Sequence, residues 1–304
     1  MRIRAFAKIN LSLRVLGRRD DGFHELRTIF QSIALHDALT IRRVRGPFRL
    51  TCDDPACPCD DSNLIWRAAD RLWRAARRSG KPRDLAIDLQ KRIPLNAGLG
   101  GGSSDAAAAL RALARMWKVG DERARAIGSE LGADVPYFFE GGTVLGLERG
   151  DLLFPLIDPP RSWVVLVLPD FGVSTRDAFA WWDQAAVVAR RLQPSGGGRA
   201  VRSRDRSARA FALPTKGSPA IEHGNDLERI VSARYPEVAR IVTLLRSSGA
   251  SHAAMTGSGS TIFGLFGSRT AATRAAARAV GSRAKAVHVT TTLDRARYRT
   301  LAAI

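Results

Sequence analysis

Long apolar runs are missing from this chain. None approaches the roughly 20 residues that a membrane-spanning helix needs, so no membrane partner is expected. The opening MRIRAFAKINL also lacks the apolar core of a secretory signal and the serine-rich composition of a transit peptide, which makes the cytoplasm the expected compartment. Cysteine is scarce: the 304 residues hold 3, namely Cys52, Cys57 and Cys59, all inside TCDDPACPCDDSN. An odd number argues against a disulfide framework. The spacing C-x4-C-x-C matches no common structural zinc pattern, even with His24 or His36 added as a fourth ligand. Reduced, unpaired thiols are expected there.

Acidic residues are in deficit. The 29 Asp and Glu face 48 Lys and Arg, for a net charge of +19, with Arg widespread and Lys scarce. Such a balance ordinarily raises nucleic-acid binding. Its distribution argues otherwise. Arg190, Arg191, Arg199, Arg202, Arg204, Arg206, Arg209 and Lys216, against Asp205 alone, crowd into residues 185–220. That stretch has little apolar periodicity and several Gly, Ser and Pro residues, and it reads as a basic loop. No nucleic-acid partner is expected, whereas a general attraction for anionic, phosphorylated substrates is.

An apolar content of 45% supports two compact domains, 1–157 and 158–304, with a break near Pro155 to Arg161 where IDPPR interrupts the pattern. From Ile3 to Val15 the odd positions are apolar and the even ones include Lys8, Asn10 and Ser12, which predicts a strand with one apolar and one polar face. Further strands are expected at SIALHDALTIRRV, LAIDLQKRI, TVLGLERG, SWVVLVLP, TIFGLF and AVHVTTTL. Helices are expected at SNLIWRAADRLWRAARRSG, after the glycine-rich run, around ERARAIGSELG, from about Asp226 to Ser247, and at RTAATRAAARAV. Single strands interleaved with helices indicate an α+β architecture with a split β-α-β unit.

The densest signal is Pro94, Leu95, Asn96, Ala97, Gly98, Leu99, Gly100, Gly101, Gly102, Ser103, Ser104, Asp105, running directly into AAAALRALARMW. Glycines let backbone N–H groups approach a ligand, and a helix N-terminus offers unpaired donors and a positive dipole end to an anion. Ser103 and Ser104 add hydroxyls for phosphate or a magnesium ion. No Gly-Lys-[Ser/Thr] closes the run, so it is not a Walker loop. A flexible Gly/Ser linker is the bland alternative, but linkers do not flow into an amphipathic helix.

The pattern P-x-x-x-G-L-G-G-G-S-S-x-A-A resembles the ATP-binding motif of the GHMP kinase superfamily, the small-molecule kinases named for galactose, homoserine, mevalonate and phosphomevalonate. Nearly the whole chain outside the basic loop shares in the resemblance. It includes A-K-I-N-L at Ala7 to Leu11, G-R-R-x-D-G-F-H-E-L at Gly17 to Leu26, D-D-S-N-L at Asp60 to Leu64 and L-G-A-D-V-P at Leu131 to Pro136. H-G-N-D-L-E at His223 to Glu228 and M-T-G-S-G-S-T-I-F at Met255 to Phe263 complete it. The opening segments resemble the branch of the superfamily that serves the non-mevalonate isoprenoid route.

The resemblance implies a ribosomal-protein-S5-like N-terminal domain and a ferredoxin-like C-terminal domain, acting as a monomer or homodimer. It implies phosphoryl transfer from ATP, with Mg2+, to the 2-hydroxyl of a small-molecule cytidine diphosphate substrate. Asp134 is then the carboxylate that takes the hydroxyl proton and Lys8 the second catalytic residue. Without the resemblance, Asp134 reads as a helix N-cap and Lys8 as a solvated strand residue. Residues Pro94 to Ser104 take the nucleotide, with Asn63 near the adenosine and Ser103 as the choice for the metal. Asn10, Phe23 and His24 take the acceptor, Phe23 stacking where the family has Tyr and His24 reading the cytosine edge. A second aromatic wall follows Pro169 to Ser174, from Trp181 or Phe179, with Trp181 chosen. Gly257 to Ser260 either closes over the phosphate loop or is a tight turn before a strand. A catalytically inactive relative, or a kinase for another acceptor, would be signalled by changes at Lys8, Asp134, Asn10 or Phe23-His24, and all the named positions are filled as described.

Overall fold

The computed structural model describes residues 1–191, 224–282 and 284–303. Strands β1 (Arg2–Arg18), β2 (His24–Pro47), β3 (Arg49–Cys52), β4 (Arg83–Gln90), β5 (Thr143–Glu148), β6 (Leu152–Pro155) and β8 (Gly224–Asn225) form a seven-stranded sheet. The long β2 is its spine. Its first half pairs antiparallel with β5, its second half with β4, and β1 runs along the opposite edge. Helices α1 (Leu64–Ala75), α2 (Gly101–Trp117) and α3 (Asp121–Leu131) pack together against this sheet. Their apolar stripes, including Ile65, Leu72, Leu110 and Leu113, share one core with Ile41, Ile87 and Leu89.

The second sheet joins β7 (Trp163–Pro169), β9 (His252–Met255), β10 (Ile262–Phe266) and β11 (Ala284–Thr291) in the antiparallel order β11-β7-β10-β9. With α5 (Thr175–Arg191), α6 (Asp226–Arg234), α7 (Glu237–Ser247) and α8 (Arg269–Val280) it makes a ferredoxin-like α+β unit. Strand β7 is buried on both faces, as its unbroken apolar run requires. Val165 and Val167 meet the helices, while Val164, Leu166 and Leu168 meet Ala7, Ile9 and Leu11 of β1. That contact joins the two sheets. Two segments return to the first: β8 pairs parallel with β1, and α9 (Arg295–Leu301) places Tyr298, whose hydroxyl donates to the Phe138 carbonyl at 2.7 Å.

Two expectations are corrected. The helix expected from Asp226 to Ser247 is two, because Pro236 lacks the N–H that a continuous helix needs and instead heads α7. The basic stretch does not begin as a loop at 185, since α5 continues to Arg191; residues 192–220 lie outside the described residues. The polar face of β1 is buried, with Lys8, Asn10 and Ser12 4%, 2% and 5% exposed. The apolar odd positions of β1 divide between cores. Ile3 and Ala5 pack under the helices and Ala7 to Leu11 against the second sheet, a change that coincides with the register shift between Phe6 and Lys8.

Candidate active site

Burying polar side chains such as Lys8 and Asn10 on one strand demands partners. The Thr28 hydroxyl donates to the Ser12 carbonyl at 2.7 Å and accepts from Asn10 Nδ2 at 2.7 Å. That fixes the orientation of the Asn10 amide and turns its Oδ1 to Lys8, whose ammonium donates to it at 2.7 Å. The same ammonium stands 3.3 Å from Asp134 Oδ2. Asp134 is 35% exposed in the turn between α3 and α4 (Tyr137–Glu140), and α4 has no side-chain cap, so its carboxylate is not an N-cap. A buried cation thus presents a half-exposed carboxylate to a cleft of about 940 Å³ that both residues line.

The glycine run forms the neighbouring wall, with Pro94 to Ser103 all lining the cleft. Gly100 stands in the left-handed region (φ 70°) at the head of α2, and a Cβ there would lie 2.8 Å from the Phe138 ring and 3.1 Å from Lys8 Cγ. Only glycine satisfies both the backbone and the space. The first intrahelical bond of α2 is Ser104 N–H to Gly100 O, at 2.9 Å. The N–H groups of Gly101, Gly102 and Ser103 are therefore the helix's orphan donors, at its positive end. The loop is tied to β1 by the Lys8 N–H, which donates to Leu99 O at 3.0 Å.

The two serines separate. Ser104 is buried and donates to the Phe6 carbonyl at 2.7 Å, so its hydroxyl serves the fold and not the cleft. Ser103 lines the cleft, and its hydroxyl has no partner among the described residues. Asn63 also stays outside: its Oδ1 caps α1 at Ile65 N, 2.8 Å away, and its Nδ2 donates to Pro58 O at 2.7 Å. Both ends of its amide are held by the protein, and Leu64 beside it lines the cleft instead. The adjacent Cys52, Cys57 and Cys59 are free thiols, and burial pushes the Cys57 thiol up to about 12.

Beneath the loop lies a buried charge cluster invisible to the motif. The Lys91 ammonium bridges Asp37 and Asp105, the latter at 2.8 Å, and Asp37 also accepts from Arg92 N and Ile93 N. Asp105 is the poorer partner, because its Oδ1 is buried with no hydrogen-bond partner. Burial pushes its carboxyl up to about 8, against the opposing pull of the Lys91 ammonium.

At the far end of the cleft, Phe23 is half exposed with the Arg149 guanidinium 5.2 Å from its ring centre. His24 stacks on Phe179 (4.5 Å, 23°), and its Nε2 lies 2.8 Å from Asp183 Oδ1. Trp181 does not join them. In α5, Arg176, Phe179, Ala180 and Asp183 fall at i, i+3, i+4 and i+7 and face the cleft. Trp181 is two residues past Phe179, about 200° round the helix, under the Arg234 guanidinium at 4.4 Å and beside Tyr235. Both residues pack against the second core, and of the two only Phe179 lines the cleft.

The second sheet also contributes. Thr256 Oγ1 accepts from Asn10 N at 2.9 Å, and Gly257 and Ser258 line the cleft. The Asn225 amide donates to Met255 O and Gly257 O, at 2.8 and 2.7 Å, while its oxygen caps α6 at Leu227 N. One residue of the H-G-N-D-L-E segment therefore fixes the turn that meets the glycine loop. Long-range partners such as Thr28, Asp183 and Thr256 carry no local sequence signal. An α2 N-terminus beside a Lys–Asp pair can hold a polyphosphate and remove a proton from a nearby hydroxyl.

Comparison with known proteins agrees with that chemistry. A family model described as "GHMP kinases N terminal domain" matches residues 63–142, and one described as "GHMP kinases C terminal" matches residues 218–285. The 4-diphosphocytidyl-2-C-methyl-D-erythritol kinase of Moorella thermoacetica is 42% identical over 280 residues, covering 90% of this chain and 93% of that one. The kinase of the same name from Citrifermentans bemidjiense is 40% identical over 290 residues, covering 93% and 95%. A crystal structure of 4-(cytidine 5'-diphospho)-2C-methyl-D-erythritol kinase overlays with a TM-score of 0.73 at 32% identity, across 96% of this chain and 99% of that one. L. major mevalonate kinase in complex with R-mevalonate shares the fold alone, with a TM-score of 0.63 at 18% identity over 97% and 96% of the two chains. Among the described residues, no helix is long and apolar enough to cross a membrane.

Proposed function

The chain belongs to the 4-diphosphocytidyl-2-C-methyl-D-erythritol kinases, a branch of the GHMP kinases, and from that premise we propose that it transfers the γ-phosphoryl group of ATP to the 2-hydroxyl of 4-diphosphocytidyl-2-C-methyl-D-erythritol. The observation that carries the residue-level reading is the Lys8–Asp134 pair, 3.3 Å apart in the cleft that the orphan donors of α2 also line.

Phosphoryl transfer asks the protein mainly for position and charge. The triphosphate lies along Gly98 to Ser103, accepting from the free N–H groups at the head of α2. Asp134 accepts the proton of the acceptor hydroxyl as that oxygen attacks phosphorus. The Lys8 ammonium, 3.3 Å away, orients that carboxylate and faces the charge that builds on the transferred group. Phe23 and Phe179 enclose the pyrimidine, and His24 meets its edge.

The donor set fits a magnesium ion held chiefly by nucleotide phosphates. The cleft offers the unpartnered Ser103 hydroxyl, and the described residues contain no cluster of three acidic, His or Cys side chains able to hold a metal. When bound, the ion neutralises phosphate charge, and Ser103 would be its protein ligand. The same reading makes the enzyme cytoplasmic, a monomer or homodimer that acts on small molecules, with no nucleic-acid or membrane partner.

The test is ADP release with this acceptor, ATP and magnesium, comparing wild type with Asp134→Asn and Lys8→Ala. Turnover that collapses in both folded variants is expected. Turnover that survives them would sink the catalytic assignments and leave the substrate standing.

A further inference from the structure

His24 is gripped from one side by α5. Its ring stacks on Phe179, meets Trp182 edge-on at 5.8 Å, and is only 10% exposed. Nε2 lies 2.8 Å from Asp183 Oδ1, across 159 residues of chain, and both residues line the cleft. The other ring nitrogen, Nδ1, has no partner among the described residues and is not among their buried unpartnered atoms, so it is accessible on a residue that lines the cleft.

That arrangement sets what His24 can say to a ligand. A carboxylate oxygen only accepts, so the ring nitrogen facing it carries the hydrogen. A neutral imidazole has one such hydrogen, and Nδ1 is left as a bare acceptor. On a pyrimidine edge, cytosine presents its exocyclic amino donor where a uracil-type base presents a carbonyl acceptor. An acceptor at Nδ1 pairs with the amino group and meets the carbonyl lone pair to lone pair. We infer that Asp183 is a positioning residue which, by holding the hydrogen of His24 on Nε2, makes this pocket choose an amino-bearing pyrimidine nucleotide over its keto counterpart. The inference rests on the reading that His24 meets the base of the acceptor.

Asp183→Asn tests it with almost no change of shape. An asparagine can turn either its oxygen or its NH2 group to Nε2, so the hydrogen of the ring is free to move to Nδ1. The 15N shifts of the His24 imidazole report where that hydrogen sits. Steady-state kinetics with the cytidyl acceptor and its uridyl analogue report the choice. Both are taken at a pH where the same 15N shifts show the ring to be neutral, because an imidazolium would donate from Nδ1 as well.

Wild type should show the Nε2–H form and favour the cytidyl acceptor by at least about 100-fold in kcat/KM. In Asp183→Asn the Nδ1–H form should appear and the preference should shrink at least tenfold. The loss with the cytidyl acceptor should fall on KM and not kcat, as for an interaction made equally in ground and transition states. An Nδ1–H imidazole in wild type, or an unchanged preference in a folded Asp183→Asn, overturns the inference while leaving the substrate assignment intact. Wild type that turns over neither nucleotide form fails the substrate assignment, and the inference falls with it.

Discussion

Asn10 holds Lys8 in place: its Oδ1 accepts from the ammonium at 2.7 Å, and its Nδ2 is anchored on the Thr28 hydroxyl at the same distance. Lys8 is 4% exposed and would otherwise face Asp134 with a free four-carbon stem. Asn10→Ala removes the acceptor and leaves Thr28 Oγ1 without its donor. A misplacement of about 1 Å in such a pair is worth about 100-fold in rate. The expected result is a fall of about 10- to 100-fold in kcat, and a lowered thermal midpoint reflecting about 1–3 kcal/mol for the orphaned group. Unchanged kcat in a folded Asn10→Ala enzyme would show that Lys8 needs no such support.

Glycines of the loop differ sharply in what they tolerate. A Cβ at Gly98 would lie 2.5 Å from the Thr256 carbonyl oxygen, a backbone atom, and the residue's φ is 72°. Gly98→Ala therefore strains the backbone and pushes the two sheets apart where they meet, and a clear drop in thermal midpoint is expected. At Gly102 the nearest atom is Leu64 Cδ1, 3.9 Å away. Gly102→Ala should melt like wild type yet raise the KM for ATP, because its new methyl group stands in the first turn of α2 beside the phosphates. Thermal melts and ATP titrations of the two variants separate these effects.

The glycine loop, its helix and the strand bearing Lys8 were legible because each is a local pattern: small residues before an apolar period, or alternation along a strand. Local pattern stops short of the partners. Period 2 marks Lys8, Asn10 and Ser12 as one polar face but holds no sign that the face is buried, or that Thr28 and Thr256 bond to Asn10 there. Trp181 is the choice from sequence for the second wall, but no helix is expected there from the sequence, and the phase of α5 puts Phe179 on the cleft instead. Asp183 and the Lys91–Asp37–Asp105 cluster depend on partners at least 14 positions away, a kind of information that periodicity does not hold.

Asp105 links the loop to pH. Its carboxyl, pushed up to about 8 by burial, lies above the ordinary value of about 3.9. A raised folded value means that the bound proton stabilises the native state fully below about pH 4, and that this contribution is lost as pH climbs to about 8. Asp105→Asn keeps an oxygen for Lys91 and removes the titration. The variant's thermal midpoint relative to wild type should therefore rise between about pH 4 and pH 8 and level off above. Melts across that range check it, and a difference that stays flat with pH would mean Asp105 is already ionised in the fold.

Phe179 and Trp181 stand two residues apart on α5 and should fail in different ways. Phe179 lines the cleft and stacks on His24, whereas Trp181 packs under Arg234 and beside Tyr235 in the second core. Stacking a base on an aromatic ring is worth about 1–3 kcal/mol, so Phe179→Ala should raise the acceptor KM by about 5- to 150-fold. Its His24 neighbour also loses a wall, and Phe179→Tyr, which keeps the ring, should restore most of the affinity. Trp181→Ala opens a void in packed side chains and is expected to lower the thermal midpoint by several degrees while the acceptor KM stays near wild type. Kinetics at saturating ATP, with melts of all three variants, decide between the two assignments. If Trp181→Ala raised KM and Phe179→Ala did not, the cleft face of α5 would have to be turned by about half a helical turn.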